Sequence, residues 1–218
     1  MNKIIKKIKN LEKNDRTIVL LIFTTSANIL LAAVKFIFAI TIPSLWFFVN
    51  AIFNFILALL RFFSIKDYKK IKMSKSVDEK LIIGFKNYLN NGILLILLGI
   101  SYFMVSVYIY YKGSFTNMHE YLTYLVSFMA FYSIFSAIYG MVKYKKDKTP
   151  IISAVKITNF ANALTSIVLT QVVLLDTFGG GMNTNIYDGI VGIFVSIIIT
   201  FLGLYMIIDI KKYVKNLN

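Results

Sequence analysis

The side chains of this 218-residue chain that could do chemistry are mostly amides and hydroxyls. Asn50 and Asn54 stand four apart, one helical turn; Asn90 and Asn91 are adjacent; Asn28 stands alone. Thr158, Asn159, Asn162, Thr165, Ser166 and Thr170 recur at spacings of three and four, which draws a polar stripe along one helix. Amide and hydroxyl oxygens suit hard or weakly charged ligands and polar solutes. They do not supply a nucleophile, a general base or a transition-metal shell. With no cysteine there is no thiolate nucleophile, thiolate metal site or disulfide framework, and a single histidine, His119, leaves little for imidazole chemistry. No paired acids or His/Glu set falls within one layer of the chain, so no catalytic residue, bound metal or cofactor is expected. An enzyme is the least favoured class. The Gly179-Gly180-Gly181 run follows no strand and precedes no phosphate-binding lysine, and it reads as a turn.

The elements that must position these residues follow from composition. Hydrophobic residues make up 58% of the chain, charged residues 16%, and mean hydropathy is +0.72. Soluble domains run at about 45–50% apolar and about 25% charged. The net charge of +14 is therefore concentrated, and it lies between long apolar runs rather than beside aromatics on folded surfaces. That excludes a nucleic-acid partner and predicts an all-α integral membrane protein whose partner is the lipid bilayer. A bilayer core of about 30 Å needs roughly 20 apolar residues of helix. Six stretches meet that length, at 17–40, 44–65, 81–111, 120–142, 151–175 and 187–210. They are continuous runs, not the alternating segments of about ten residues that build a β-barrel. The first run is also too long for the apolar core of a signal peptide.

Lysine and arginine placement predicts the topology. Six precede the first span (Lys3, Lys6, Lys7, Lys9, Lys13, Arg16), and six lie between spans two and three (Lys66, Lys69, Lys70, Lys72, Lys75, Lys80). Four lie between spans four and five (Lys143, Lys145, Lys146, Lys148) and three follow span six (Lys211, Lys212, Lys215), whereas the opposite loops carry only Lys112. The positive-inside rule then places both termini in the cytoplasm, in a multi-pass protein of the cell membrane. The expected organisation is a basic cytoplasmic N-terminus at 1–16, a six-helix transmembrane domain at 17–210 and a short basic tail at 211–218. Ile4, Ile8 and Leu11 recur at helical spacing among the first lysines. Residues 1–16 are thus either an amphipathic helix on anionic inner-leaflet lipid or a solvated basic tail.

Counted from the predicted helix starts, Asn28, Asn54, Asn90, Asn91 and Asn162 all lie nine to eleven residues into their spans, near the middle of the bilayer. Lipid cannot satisfy amides at that depth, so they are expected to face other helices or a wet cavity. Two readings stand. Asn28, Asn50, Asn54, Asn90, Asn91, Thr158, Asn159, Asn162 and Ser166 line a solute path at the midplane, or they tie helices together by hydrogen bonds of about 0.6 kcal/mol each. Lys35 is expected to snorkel to the outer interface, and Arg61, Lys86 and Lys156 to the cytoplasmic one.

The stretch Ser26–Phe63, SANILLAAVKFIFAITIPSLWFFVNAIFNFILALLRFF, resembles the first two helices of the cation diffusion facilitator family. That family shows a lysine, then nine residues later a serine opening helix two, followed by a pattern like LADAxHSLSD. Lys35 and Ser44 have the spacing, and Val49-Asn50-Ala51-Ile52 stands where ADAx would. Ala161–Ile167, ANALTSI, is similar to the family's SDxLTSL segment in helix five, and Asp188-Gly189-Ile190-Val191 resembles the start of its helix six. The resemblance implies the family's six-helix bundle with both ends inside, and a homodimer. It also implies a metal site between helices two and five, built from an Asp/His-x3-Asp pair and a His-x3-Asp pair. The corresponding positions here are Phe53 and Leu57, which cannot coordinate, and Thr158 and Asn162, which offer neutral oxygens. Zinc, which favours imidazole and carboxylate ligands, is therefore not expected there. With eight residues after the sixth span, the cytoplasmic metal-binding domain of the family is not expected either. The expected function is a divergent cation-efflux-type transporter that moves a cation or small polar solute past the Asn/Thr belt. The alternatives are a non-transporting pseudo-transporter acting as a membrane partner or regulator, and a substrate-binding subunit of a larger uptake system.

Overall fold

The computed structural model describes residues 15–41, 44–113, 120–143, 149–179 and 184–215, with side chains from Thr25 onward except at 27, 28, 143 and 211–215. Six helices follow one another: α1 (Asp15–Thr41), α2 (Leu45–Met73), α3 (Val77–Lys112), α4 (Glu120–Lys143), α5 (Pro150–Phe178) and α6 (Asn185–Lys215). Among the described residues there is no strand. The region expected to form an amphipathic N-terminal helix lies largely outside the described residues, as does His119. The run Lys66–Lys80, expected as a loop, is instead the helical end of α2 and the start of α3, joined across Ser74–Ser76. Apolarity stops near residue 65, but helical periodicity does not. Tyr68 and Ile71 continue the buried face and pack with Ile151 and Ile152 of α5. Ser76 caps α3, its hydroxyl accepting from the Glu79 amide, with Asp78 and Glu79 in the positive first turn. Pro150 opens α5, where no intrahelical donor is needed.

Packing is set by residue size along each helix. On α2 the buried positions Asn50, Asn54, Leu57, Arg61, Ser64, Tyr68 and Ile71 alternate steps of four and three, one continuous seam. On α5 Ile151, Val155, Thr158, Asn162, Thr165, Leu169 and Val172 do the same. These two helices and α3 touch one another pairwise and form the centre of the bundle. Around them α1 lies on α2, α4 on α5, and α6 on α3 and α5. The most extensive contact, α3 with α6, depends on glycine. A Cβ at Gly203 would stand 2.7 Å from the Gly92 carbonyl oxygen and 2.9 Å from the Ile96 nitrogen, both backbone atoms. Small residues let helices approach this closely where van der Waals contact must replace a hydrophobic driving force.

The outer surface is apolar to an extent water would not tolerate. Phe36, Phe55, Phe62, Phe128, Phe135, Phe194 and Phe201 are all exposed on the outside of the bundle. Tyrosines cluster where α3 ends and α4 and α6 begin, at Tyr108, Tyr110, Tyr111, Tyr121, Tyr124 and Tyr187, as they do at a membrane–water interface. Five helices, α2 to α6, are long and apolar enough to cross a bilayer. In α1 the apolar stretch counted among the described side chains, Ile29–Thr41, is shorter than a span. The chain is a multi-pass helical membrane protein.

Candidate functional site: a polar interior carrying two cations

The central helices bring most of the singled-out polar residues inward. Asn50, Asn54, Asn91, Thr158, Asn162 and Ser166 are buried, and Asn159 is half-buried. Two do not join them. Asn90 is exposed on the outside of α3, and the side chain of Asn28 lies outside the described residues. Asn90 and Asn91 differ by a rotation of about 100°, and the seam through Gly84, Asn87, Asn91, Leu95 and Leu98 claims Asn91.

The amides do little to join helices. Asn50 Nδ2 donates to the Trp46 carbonyl at 3.0 Å, Asn54 Nδ2 to the Asn50 carbonyl at 2.7 Å, and Asn91 Nδ2 to the Asn87 carbonyl at 2.8 Å, all within their own helices. Thr158 and Thr165 likewise donate to the Val155 and Asn162 carbonyls at 3.0 Å each. At least one donor of each is thus used locally while carbonyl oxygens are left over. Asn50 Oδ1 and Asn159 Oδ1 are buried without a donor. The Tyr102 hydroxyl is likewise buried without a partner.

A residue absent from the sequence-based set makes the connections at the basic end of the bundle. Asn87 Nδ2 donates to Asp67 Oδ2 at 2.9 Å, and its Oδ1 accepts from Ser64 Oγ at 3.1 Å and from Asn91 Nδ2 at 3.1 Å. One amide therefore ties α2 to α3 about two to three helical turns from the bend that joins them. Its signal was available: Asn87 stands four residues before Asn91 on the same face.

The four positions that the family resemblance assigns to metal ligands are all buried. Phe53 stacks edge-on against Tyr102 with ring centroids 5.8 Å apart, and Tyr102 meets Trp46 at 5.6 Å. One of the four positions is thus part of an aromatic cluster. Among the described residues no three His, Cys, Asp or Glu side chains come together.

Lys35 and Arg61 depart most from expectation. Neither reaches an interface: Lys35 is 3% exposed and Arg61 2%. Lys35 Nζ donates to Ser166 Oγ at 3.1 Å, so α1 reaches across to α5 through its lysine. Arg61 is close enough to act on Lys35 through its charge, and its Nε and Nη2 are buried with no acceptor. The geometry of the helix explains the failure to snorkel. The nearest helix end for each is its C-terminal one, six residues from Lys35 and twelve from Arg61. Side chains lean toward the N-terminus. Because α1 and α2 are consecutive helices linked end to end across residues 42–44, both cations lean away from their nearest interface and toward the middle of the bundle. Lys86 is exposed; Lys156 is half-buried and lines a cavity of about 570 Å³ with Tyr88, Tyr205 and Asp209.

A scan against family models finds no match for this chain, and a search of curated proteins finds none similar to it.

Proposed function

We propose that the chain is a six-span membrane transporter with both termini in the cytoplasm, moving a small polar solute through the interior shared by α1, α2, α3 and α5. The observation that carries this reading is the burial of Asn50, Asn54, Asn91, Thr158, Asn162 and Ser166 together with Lys35 and Arg61 in the centre of a bundle whose outside is phenylalanine. Polar and ionisable groups at membrane depth are costly and mark pathways. Of the two cargo classes, cation and polar solute, the second is favoured, because two buried cations without a carboxylate partner repel a third. The sixth span is α1, whose helix is 27 residues long. The basic ends on one side of the bundle set the orientation and rest on anionic lipid of the cell membrane. The architecture is read as a divergent cation diffusion facilitator bundle, including its homodimer. The contact between α2 and α5 and the burial of Phe53, Leu57, Thr158 and Asn162 support that reading.

The test is uptake by the purified protein in liposomes across a panel of labelled polar solutes. Uptake above empty liposomes should fall at least tenfold in Asn54→Leu, which replaces a buried amide by an apolar side chain of the same branching. Unchanged uptake in Asn54→Leu and Asn162→Leu sinks the site assignment. One observation favours a second reading, a non-transporting partner subunit: Asn50, Asn54 and Asn91 each spend an amide proton inside their own helices. Absence of flux, with a second membrane protein co-purifying in fixed ratio, would select it.

A further inference from the structure

Arg61 takes no part in the hydrogen bonds that hold the polar interior together. A guanidinium carries five donors and no acceptor. Its Nε and Nη2 protons lie along one edge of the planar group, roughly parallel, and match two oxygens on a single acceptor centre. On Arg61 these are the two nitrogens buried without a partner. Lys35 Nζ has three protons and uses one on Ser166 Oγ. No carboxylate among the described residues pairs with either cation, and Arg61 acts on Lys35 as a like charge. On α2, Leu57 and Ala58 lie one turn before Arg61 and Ser64 one turn after it, all buried and none of them charged. An unpaired cation in such surroundings is strongly disfavoured. Two of them, on the contacting helices α1 and α2, present a charge of +2 with unused donors on both.

We propose that Lys35, Arg61 and Ser166 form a binding site for a small oxyanion, held by the Nε–Nη2 edge of Arg61 and by the Lys35 ammonium inside the bundle. Carboxylate, phosphate and sulfate groups share the required chemistry of two or more oxygens on one centre. A halide, with a single centre, cannot span both protons of the edge in the same way. This rests on the transport reading above and names the class of its solute.

The experiment uses the full chain, purified in neutral detergent and stripped of anionic lipid. Its melting temperature is followed against sodium phosphate, sulfate and acetate, with chloride at equal ionic strength as reference. A saturable rise with the oxyanions and none with chloride is expected, since a ligand of the native state stabilises by mass action. Arg61→Lys keeps the charge and loses the edge, and should weaken oxyanion affinity at least tenfold; Lys35→Met should do the same. Arg61→Met should melt higher than the wild type in oxyanion-free buffer and no longer respond, whereas an arginine that only braces the fold would melt lower when replaced. Equal affinity in wild type and Arg61→Lys, or no oxyanion response in the wild type, overturns the proposal. Should Arg61→Lys not fold, Lys35→Met and Ser166→Ala carry the comparison. Phosphatidylglycerol added to the same micelles distinguishes the source. A response to the lipid alone, lost in Arg61→Lys, keeps the oxyanion site but overturns its assignment to a free solute. Binding without uptake in liposomes overturns transport and leaves the site standing, and uptake that depends on Asn54 without oxyanion binding does the reverse.

Discussion

Replacing Asn87 by alanine tests whether one side chain fastens the α2–α3 hairpin. The residue is 3% exposed and makes three side-chain hydrogen bonds, to Asp67, Ser64 and Asn91. Neutral hydrogen bonds between membrane helices average about 0.6 kcal/mol. A bond to an ionised acceptor is worth about 1.5–3 kcal/mol, and Asp67, with 26% of its side chain accessible, belongs at the low end of that range. The loss for Asn87→Ala is therefore about 2–3 kcal/mol, roughly half of it through Asp67. A double-mutant cycle with Asp67→Ala isolates that half as a coupling of about 1–1.5 kcal/mol. Reversible unfolding in mixed micelles, followed by circular dichroism, reads all four corners. Coupling below about 0.3 kcal/mol, or a single mutant within about 0.5 kcal/mol of the parent, would refute the reasoning and reduce the network to an incidental arrangement.

Two further substitutions probe the packing. Gly203→Ala places a methyl against the backbone of Gly92 and Ile96, which cannot move aside as a side-chain tip can, so it should destabilise by about 1–3 kcal/mol in the same unfolding assay. A parent-like stability would mean that α3 and α6 do not approach as closely as their glycines allow. The adjacent pair Asn90 and Asn91 separates by face. Asn90→Leu, on the outside of α3, should change stability by no more than about 0.5 kcal/mol, while Asn91→Leu should cost more because it removes both bonds to Asn87.

Much of the fold was legible because lipid imposes a single requirement on the five helices α2 to α6, a run of about 20 apolar residues. The helices that end near a change of polarity, α4 and α5, begin and stop within three residues of the expected places. The ends of α2 and α3 were not legible from apolarity. Lys66, Lys69 and Lys70 face water on a helix whose other side, through Tyr68 and Ile71, is still packed on α5. Apolar run length reports the membrane, whereas the three-and-four seam reports the helix, and beyond the bilayer only the second applies.

The same distinction governs the site. Depth was read from residue counts and was enough to bring Asn54, Asn91 and Asn162 inside, but depth does not say which way a side chain points. Thr25, Ala32 and Lys35 occupy one buried face of α1, while Ile29, Phe36, Ile37 and Ile40 occupy the exposed ones. Lys35 thus lies in a row of small residues where a neighbouring helix can come close, and a snorkelling lysine belongs among the bulky, lipid-facing positions instead. Arg61 occupies the seam of α2 in step with Asn54 and Tyr68, seven residues to either side. Face and lean together point both cations inward, and both are properties of the helix backbone that spacing already encodes. Without a carboxylate in reach of either, the positive charge of the interior is unbalanced by the chain's own described residues. On the proposal above an oxyanion supplies the balance, so its test turns on Arg61, whose Nε and Nη2 are unpartnered, more than on the amides around it.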